Sequence, residues 1–357
     1  MYGLCDAARA WYNRVKTELN KLSVEMCTLD NSLFFWRNGG KLEGIICIYV
    51  DDFLWTGTLQ FYNKVITILK TKFLIGSSAS ISFTYIGLQI RSYDDGITVD
   101  QNQYAASLNK IPITEKREME KECQLSVSEK RSYLALVGQL NWVATHTRPD
   151  IAFETCYLGG AYGKATITDL LQLNSLVDKV KGKPLSIFFP RLKSIGNSTI
   201  QCYTDASLAN LPNGGSQGAS VIFLSDENGK RCPILWQTRK LKRVVKSSLA
   251  AETMALLEGA EASFYIATIL KQLVGPSSDI KVQCFTDNKS LEAALCSSKQ
   301  VEDKRLRMDI SVIDDMLARS EIEKVIWIEG VHQIADGLTK KGVAPDKIRA
   351  TLSRRGH

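Results

Sequence analysis

Histidine is almost missing from this 357-residue sequence, which has three: His146, His332 and His357. The 9 cysteines, scattered from Cys5 to Cys296, include no Cys-x-x-Cys pair. With so few imidazoles beside them, a zinc site is excluded as an organising feature. Their odd number and irregular spacing fit reduced thiols better than a disulfide framework, which points to a cytoplasmic or nuclear compartment. No uninterrupted apolar run approaches the roughly 20 residues of a membrane helix, and no charged, apolar, small-residue leader follows Met1. Neither export nor a membrane partner is expected. Also absent are a fixed-period repeat and a low-complexity tract, which excludes a solenoid and a long disordered arm. With 45% hydrophobic residues the chain can bury a substantial core, and its length suggests about two domains at ~150 residues each. The net charge of +7 attracts polyanions only weakly.

The patterning is mixed α and β. Ala8, Tyr12, Val15, Leu19 and Leu22 recur at helical spacing, and Leu33 to Trp36 and Gly44 to Val50 read as strands around Asn38-Gly39-Gly40. Phe53-Leu54-Trp55 is a return strand, and Phe61, Val65 and Ile68 mark the next helix. Ser80 to Ile90 and Ile97 to Val99 flank Asp94-Asp95-Gly96, a turn suited to positive φ angles. Ser126 to Ala165 reads as mainly helical, broken at Arg148-Pro149-Asp150. The polar stretch Ser-Ile-Gly-Asn-Ser sets a domain boundary near residue 195. Beyond it come strands at 200–204, 219–224 and 234–238, the last two separated by an Asn228-Gly229 turn. A long helix from about Ser248 and a strand at 280–286 follow. A helix striped by Leu306, Ile310, Ile313 and Leu317, a strand at 322–328 and a final helix near Ile334 complete an α/β (α+β) layer architecture.

In this second half the acids fall at the ends of elements. Asp205 ends the first strand, Glu252 opens the long helix, Asp287 ends the fourth strand and Asp336 enters the last helix. Glu252 lies three residues after Leu249 and four before Leu256, on the apolar stripe of its helix. An ionised carboxylate there requires compensation, and a shared divalent cation is one way to hold several such acids together. Oxygen-only ligands suit Mg²⁺ or Mn²⁺, and two such ions roughly 4 Å apart can drive phosphodiester hydrolysis. Each acid taken singly is more often a helix cap or a surface charge. Four of them in this element order carry the expectation. Arg239, Lys240, Lys242, Arg243 and Lys246 form a basic run just before the Glu252 helix, either a phosphate-binding segment or a solvated loop. Lys304, Arg305 and Arg307 read as an exposed helix face.

Tyr-Thr-Asp205-Ala-Ser, Lys-Ser-Ser-Leu-Ala-Ala-Glu252, Phe-Thr-Asp287-Asn and Ala-Asp336-Gly-Leu-Thr-Lys resemble the ribonuclease H motifs of copia-type retrotransposon Pol proteins, over residues 200 to 341. The resemblance implies that Asp205, Glu252, Asp287 and Asp336 are the catalytic, metal-binding set, acting on the RNA strand of an RNA–DNA hybrid with Mg²⁺ or Mn²⁺. His332 stands only four residues before Asp336 and is left outside that set.

The first half carries Tyr49-Val50-Asp51-Asp52 between two strands, a weak signal alone because such turns are common for conformational reasons. It occurs in order with Met-Tyr-Gly-Leu at 1–4, Ala-Trp-Tyr at 10–12, Tyr-Ile-Gly-Leu-Gln-Ile at 85–90 and Thr-Arg-Pro-Asp-Ile at 147–151. That series is similar to copia-type reverse transcriptases. The resemblance implies a truncated reverse transcriptase palm and thumb over 1–195, followed by a ribonuclease H-like mixed-sheet domain over 196–357. Asp51 and Asp52 would be the metal-binding palm carboxylates, residues 80–100 the primer-gripping hairpin region and 101–180 the thumb and connection. A further palm aspartate and the fingers, which precede these motifs in the family, are not in the sequence. No independent DNA synthesis is expected. The missing strands should leave a sheet edge and apolar surface that favour aggregation, self-association or reunion with an upstream Pol segment. The alternative to an active ribonuclease H is an inactive relic or a co-opted nucleic-acid-binding protein.

Overall fold

The computed structural model of the chain describes residues 6–211, 214–297, 301–340, 342 and 346–353. The Met-Tyr-Gly-Leu motif at 1–4 lies outside the described residues. Helix α1 (Ala7–Lys21) leads through β1 (Glu25–Met26) into an antiparallel meander of β2 (Leu33–Asn38), β3 (Lys41–Tyr49) and β4 (Asp52–Gly57). Gly39 and Gly40 close the first hairpin at φ 57° and 82°, the doubly left-handed turn whose twist matches the strands. The second turn instead puts Val50 at φ 53°, a strained state for a β-branched residue. The Trp11 indole donates to the Val50 carbonyl at 2.8 Å. There follow α2 (Leu59–Phe61), a π-helical turn at Tyr62–Ile66 and α3 (Thr67–Phe73). The widened turn delays the inward position by one residue, so Leu69 is buried and Ile68, expected inside, is exposed. Val15, Leu19, Phe34, Ile46, Phe61 and Val65 close this face of the sheet.

A second antiparallel sheet runs β5 (Ser82–Tyr85), β6 (Leu88–Tyr93), β7 (Gly96–Asp100) and β8 (Ile187–Pro190). The stretch from Ser80 to Ile90 is two strands rather than one, folded at Ile86 and Gly87, both at positive φ. Asp94-Asp95-Gly96 does turn the chain, but none of the three takes positive φ. Gly96 provides room instead: a Cβ there would stand 2.3 Å from the Phe189 carbonyl oxygen. Between β7 and β8 lies a helical layer, α4 (Asn102–Ser107), α5 (Glu115–Glu118), α6 (Val127–His146), α7 (Ala152–Gly160) and α8 (Ile167–Gly182). Capping boxes start α6 at Ser126 and Glu129 and α8 at Thr166 and Asp169. A 3-10 turn at Pro149–Ile151 separates α6 from α7, where the break is expected.

The third sheet contains β9 (Thr199–Leu211), β10 (Gly215–Ser225), β11 (Arg231–Lys240), β12 (Lys281–Thr286) and β13 (Lys324–Trp327) in the order β11-β10-β9-β12-β13. β9 to β11 pair antiparallel, whereas β12 runs parallel to β9 and β13 parallel to β12. The fold is thus mixed α/β with antiparallel and mixed sheets. Helix α9 (Ser248–Val274) covers one face, with α10 (Lys289–Cys296) and α11 (Lys304–Ala318) beside it and α12 (Asp346–Leu352) last. Strand alternation sends Cys202 and Ile222 toward Leu256 and Ala260 of α9, and Tyr203, Val221, Phe223 and Trp236 to the opposite face. That face packs on Leu136, Leu140, Leu158 and Val177 of the helical layer, so one hydrophobic core extends across residue 195. The far end of α9 covers the other face of the first sheet, where Leu273 meets Cys27 and Phe35. β4 has no partner on its outer side among the described strands, and Tyr49, Val50 and Leu74 of this half are exposed.

Candidate metal centre

Asp205 sits within β9 rather than at its end, because β9 continues through Ser207 to Leu211 alongside β10. That extension, Ser-Leu-Ala-Asn-Leu, mixes polar and apolar residues without strict alternation and is only partly buried, so hydrophobic alternation does not announce it. β9 is central in the sheet, and Asp205 is 1% exposed. Asp287 directly follows β12, whose parallel run beside β9 brings it to the same end of the sheet. Glu252 comes from the start of α9, which Ser247 caps by accepting the Ala250 N–H at 3.2 Å. Asp205, Glu252 and Asp287 each offer a carboxylate oxygen within 4.8 Å of the others.

Three acids so close, in a poorly hydrated place, cannot all ionise without compensation. Burial pushes Glu252 up to about 9, with the Asp205 and Asp287 charges adding to the rise. Burial likewise pushes Asp205 up to about 6, although the Thr339 hydroxyl and Lys340 oppose the shift. The Glu252 Oε2 atom is buried with no hydrogen-bond partner, an expensive state for a carboxylate oxygen. All-oxygen donors, a cluster of negative charge and an orphaned buried oxygen together fit a hard divalent cation.

Asp336 lies in a 3-10 turn, Ala335–Leu338, and not in a helix of α type. It stands outside the trio, although its charge contributes to the rise at Asp205, and it is paired with the Lys340 ammonium. Lys340 Nζ is also 3.8 Å from Asp205 Oδ2. The Thr339 hydroxyl donates to Asp205, and the buried Gln333 amide donates to the Thr204 carbonyl at 2.9 Å. These three polar partners were not singled out by sequence reasoning, although Thr339 and Lys340 lie three and four residues after Asp336. His332 is exposed in the turn Gly330–His332.

Asp51 and Asp52 are exposed at the β3–β4 turn, and no third acid joins them in a metal-competent group among the described residues. In the basic run, Arg239 pairs with Glu258 of α9 at 2.8 Å and Arg243 pairs with Asp309 of α11. Those two guanidiniums fasten elements together, while Lys240, Lys242 and Lys246 are exposed.

Residues 1–122 match the family described as reverse transcriptase (RNA-dependent DNA polymerase). Two Arabidopsis thaliana proteins, the retrovirus-related Pol polyproteins from transposons RE1 and RE2, are 25% and 24% identical, each match covering 95% of this chain. The chain spans only 23% and 24% of their lengths. Among solved structures, a foamy viral protease–reverse transcriptase in complex with an RNA/DNA hybrid covers 96% of this chain, which covers 40% of it, at 11% identity and a TM-score of 0.49. RNase H1 from the halophilic archaeon Halobacterium salinarum matches over 40% of this chain and 94% of its own length, at 16% identity and a TM-score of 0.29. No helix among the described residues is long and apolar enough to cross a membrane.

Proposed function

We propose that this relative of the copia-type retrotransposon Pol polyproteins is a ribonuclease H, hydrolysing the RNA strand of RNA–DNA hybrids with Mg²⁺ or Mn²⁺. The observation that carries the reading is the convergence of Asp205, Glu252 and Asp287, with Glu252 Oε2 left without a partner. In this reading those three side chains hold the divalent ion, with Asp336 as a fourth ligand from the neighbouring turn. A bound ion of this kind supplies Lewis acidity and lowers the pKa of an attacking water. Thr339 fixes the Asp205 carboxylate through its hydroxyl, and Gln333 ties the loop before Asp336 to the backbone of β9. Exposed Lys240, Lys242 and Lys246 reach toward the phosphates of a hybrid lying across the carboxylate end of the sheet, with Arg239 and Arg243 bracing the segment. The proposal assigns the nuclease chemistry to residues 196–357 and hybrid support to residues 1–195. Nucleotidyl transfer at Asp51 and Asp52 would require a further carboxylate that the described residues do not bring to them, so DNA synthesis by this chain is no part of it.

The test is cleavage of a labelled RNA–DNA hybrid by the purified chain with Mg²⁺ or Mn²⁺, beside an Asp205→Asn variant. Losing a direct ligand should cost more than the roughly 10–100-fold typical of an outer partner. The tie between Asp336 and Lys340, which engages the fourth carboxylate with an ammonium, favours one second reading: a protein that binds hybrids without turnover. Tight hybrid binding by a folded chain, with no metal-dependent cleavage, would establish that reading instead.

A further inference from the structure

We propose that Lys340 is an internal counter-cation of the carboxylate centre, competing with the divalent ion for Asp336 and Asp205 and so setting the concentration at which the centre fills. The proposal rests on the reading of the centre as a divalent-ion site. Among the described residues, Lys340 is the one basic side chain within 4.0 Å of Asp205, Glu252, Asp287 or Asp336.

Its placement is built rather than incidental. The Thr339 N–H donates to the Asp336 carbonyl at 3.3 Å, the Thr339 hydroxyl donates to the buried Asp205 carboxylate, and the Asn210 amide donates to the Thr339 carbonyl at 2.7 Å. These bonds fix the backbone one residue before Lys340 against β9. The ammonium is therefore delivered to the edge of the carboxylate cluster, four residues from its partner Asp336. Its side chain is 42% exposed whereas that of Asp205 is 2% exposed, so Lys340 can withdraw into water while the carboxylate cannot. A removable cation beside the fixed, buried Asp205 carboxylate has the asymmetry of a placeholder. It offsets part of the like-charge repulsion when no ion is bound, and it must release Asp336 before that carboxylate can turn to the trio.

The experiment is calorimetric titration of Mg²⁺ into the full chain and into Lys340→Met, which keeps an apolar stem without the charge, together with melting of both proteins in EDTA. Removing a half-exposed competitor should tighten Mg²⁺ binding about five- to tenfold, while lowering the melting temperature in EDTA and leaving a larger Mg²⁺-induced rise. Lys340→Arg should return the affinity to near the parent value. A lysine serving only as structural support would give the lower melting temperature without tighter binding, and that result overturns the proposal. So does weaker Mg²⁺ binding by Lys340→Met. If neither protein binds Mg²⁺, the ion-site reading itself fails; equal binding by both sinks the Lys340 proposal alone.

Discussion

Glu252 and Asp205 hold protons that the unfolded chain would release. Their folded-state pKa values, about 9 and about 6, lie above the ordinary 4.5 and 3.8. Between those limits the folded protein binds more protons than the unfolded one, so stability falls as pH rises. In EDTA the stability attributable to this pair is fully present below about pH 4 and is lost as pH climbs through 6 and then 9. The melting temperature should therefore decline from pH 5 to pH 9 without metal, and Glu252→Gln should flatten much of that slope. A melting temperature that rises over the same range would sink this account. Because a carboxylate must lose its proton to hold a cation, Mg²⁺ should also bind more tightly at pH 8.5 than at pH 6.5, with measurable proton release. At this scale the sequence displayed Asp205, Glu252 and Asp287 through the residue types around them. It carried Thr339 and Lys340 in the motif that ends Gly-Leu-Thr-Lys but not their roles, because a threonine and a lysine after a turn are ordinary surface residues until the backbone delivers them to β9.

The element that determines the geometry of the centre is α9, and its register against the sheet turns on Gly259. A Cβ at that position would stand 2.6 Å from Thr204 Cγ2 and 2.8 Å from Cys202 Sγ. Gly259→Ala gains about 1 kcal/mol of helix propensity but forces the helix off β9, an overpacking cost of about 1–3 kcal/mol. The clash should win, giving a net loss of about 1 kcal/mol in a urea titration. Because Thr204 precedes Asp205 and Glu252 lies seven residues before Gly259, the displacement should also weaken Mg²⁺ binding. A variant as stable as its parent, with unchanged Mg²⁺ affinity, would show that α9 can shift freely. The helix itself was legible from its apolar stripe and so were the hairpins at Asn38-Gly39-Gly40 and Asn228-Gly229. Less legible were elements whose limits depend on partners: β9 extends through partly exposed residues alongside β10, and a π turn displaces Ile68 from the core.

At the scale of the whole molecule, the described residues of the two halves share a core and a buried ionic junction. Arg148 and Asp150 form a double hydrogen bond at 2.8 Å, each nearly inaccessible, and Arg148 also donates to the Val180 carbonyl at 2.9 Å. Arg349 of α12 completes the junction by donating to Asp150 at 2.8 Å and to the Pro184 carbonyl at 3.0 Å. Burial alone would raise the Asp150 pKa, but the two guanidiniums hold it below the ordinary value. From the same helix the Lys347 ammonium donates to the carbonyls of Val331 and Gln333, on the loop that leads to Asp336. Thr-Arg-Pro-Asp-Ile was legible as a motif, but the tie of its Asp150 to Arg349, 199 residues later, was not, since nothing local in either segment names the other. Asp150→Ala would leave the Arg148 charge buried and unpaired, a loss of about 3–5 kcal/mol from a total that is typically 5–15 kcal/mol. Arg349→Met keeps the Arg148–Asp150 pair and frees only α12, so it should cost far less in a urea titration. If α12 positions the Asp336 loop, amide exchange over residues 330–339 should nevertheless rise in both variants, while the exchange of β9 to β11 rises in Asp150→Ala alone. Unchanged loop exchange in Arg349→Met would mean that Gln333 and Thr339 suffice to hold the fourth carboxylate, and that the N-terminal half supports the centre through the shared apolar core rather than through this junction.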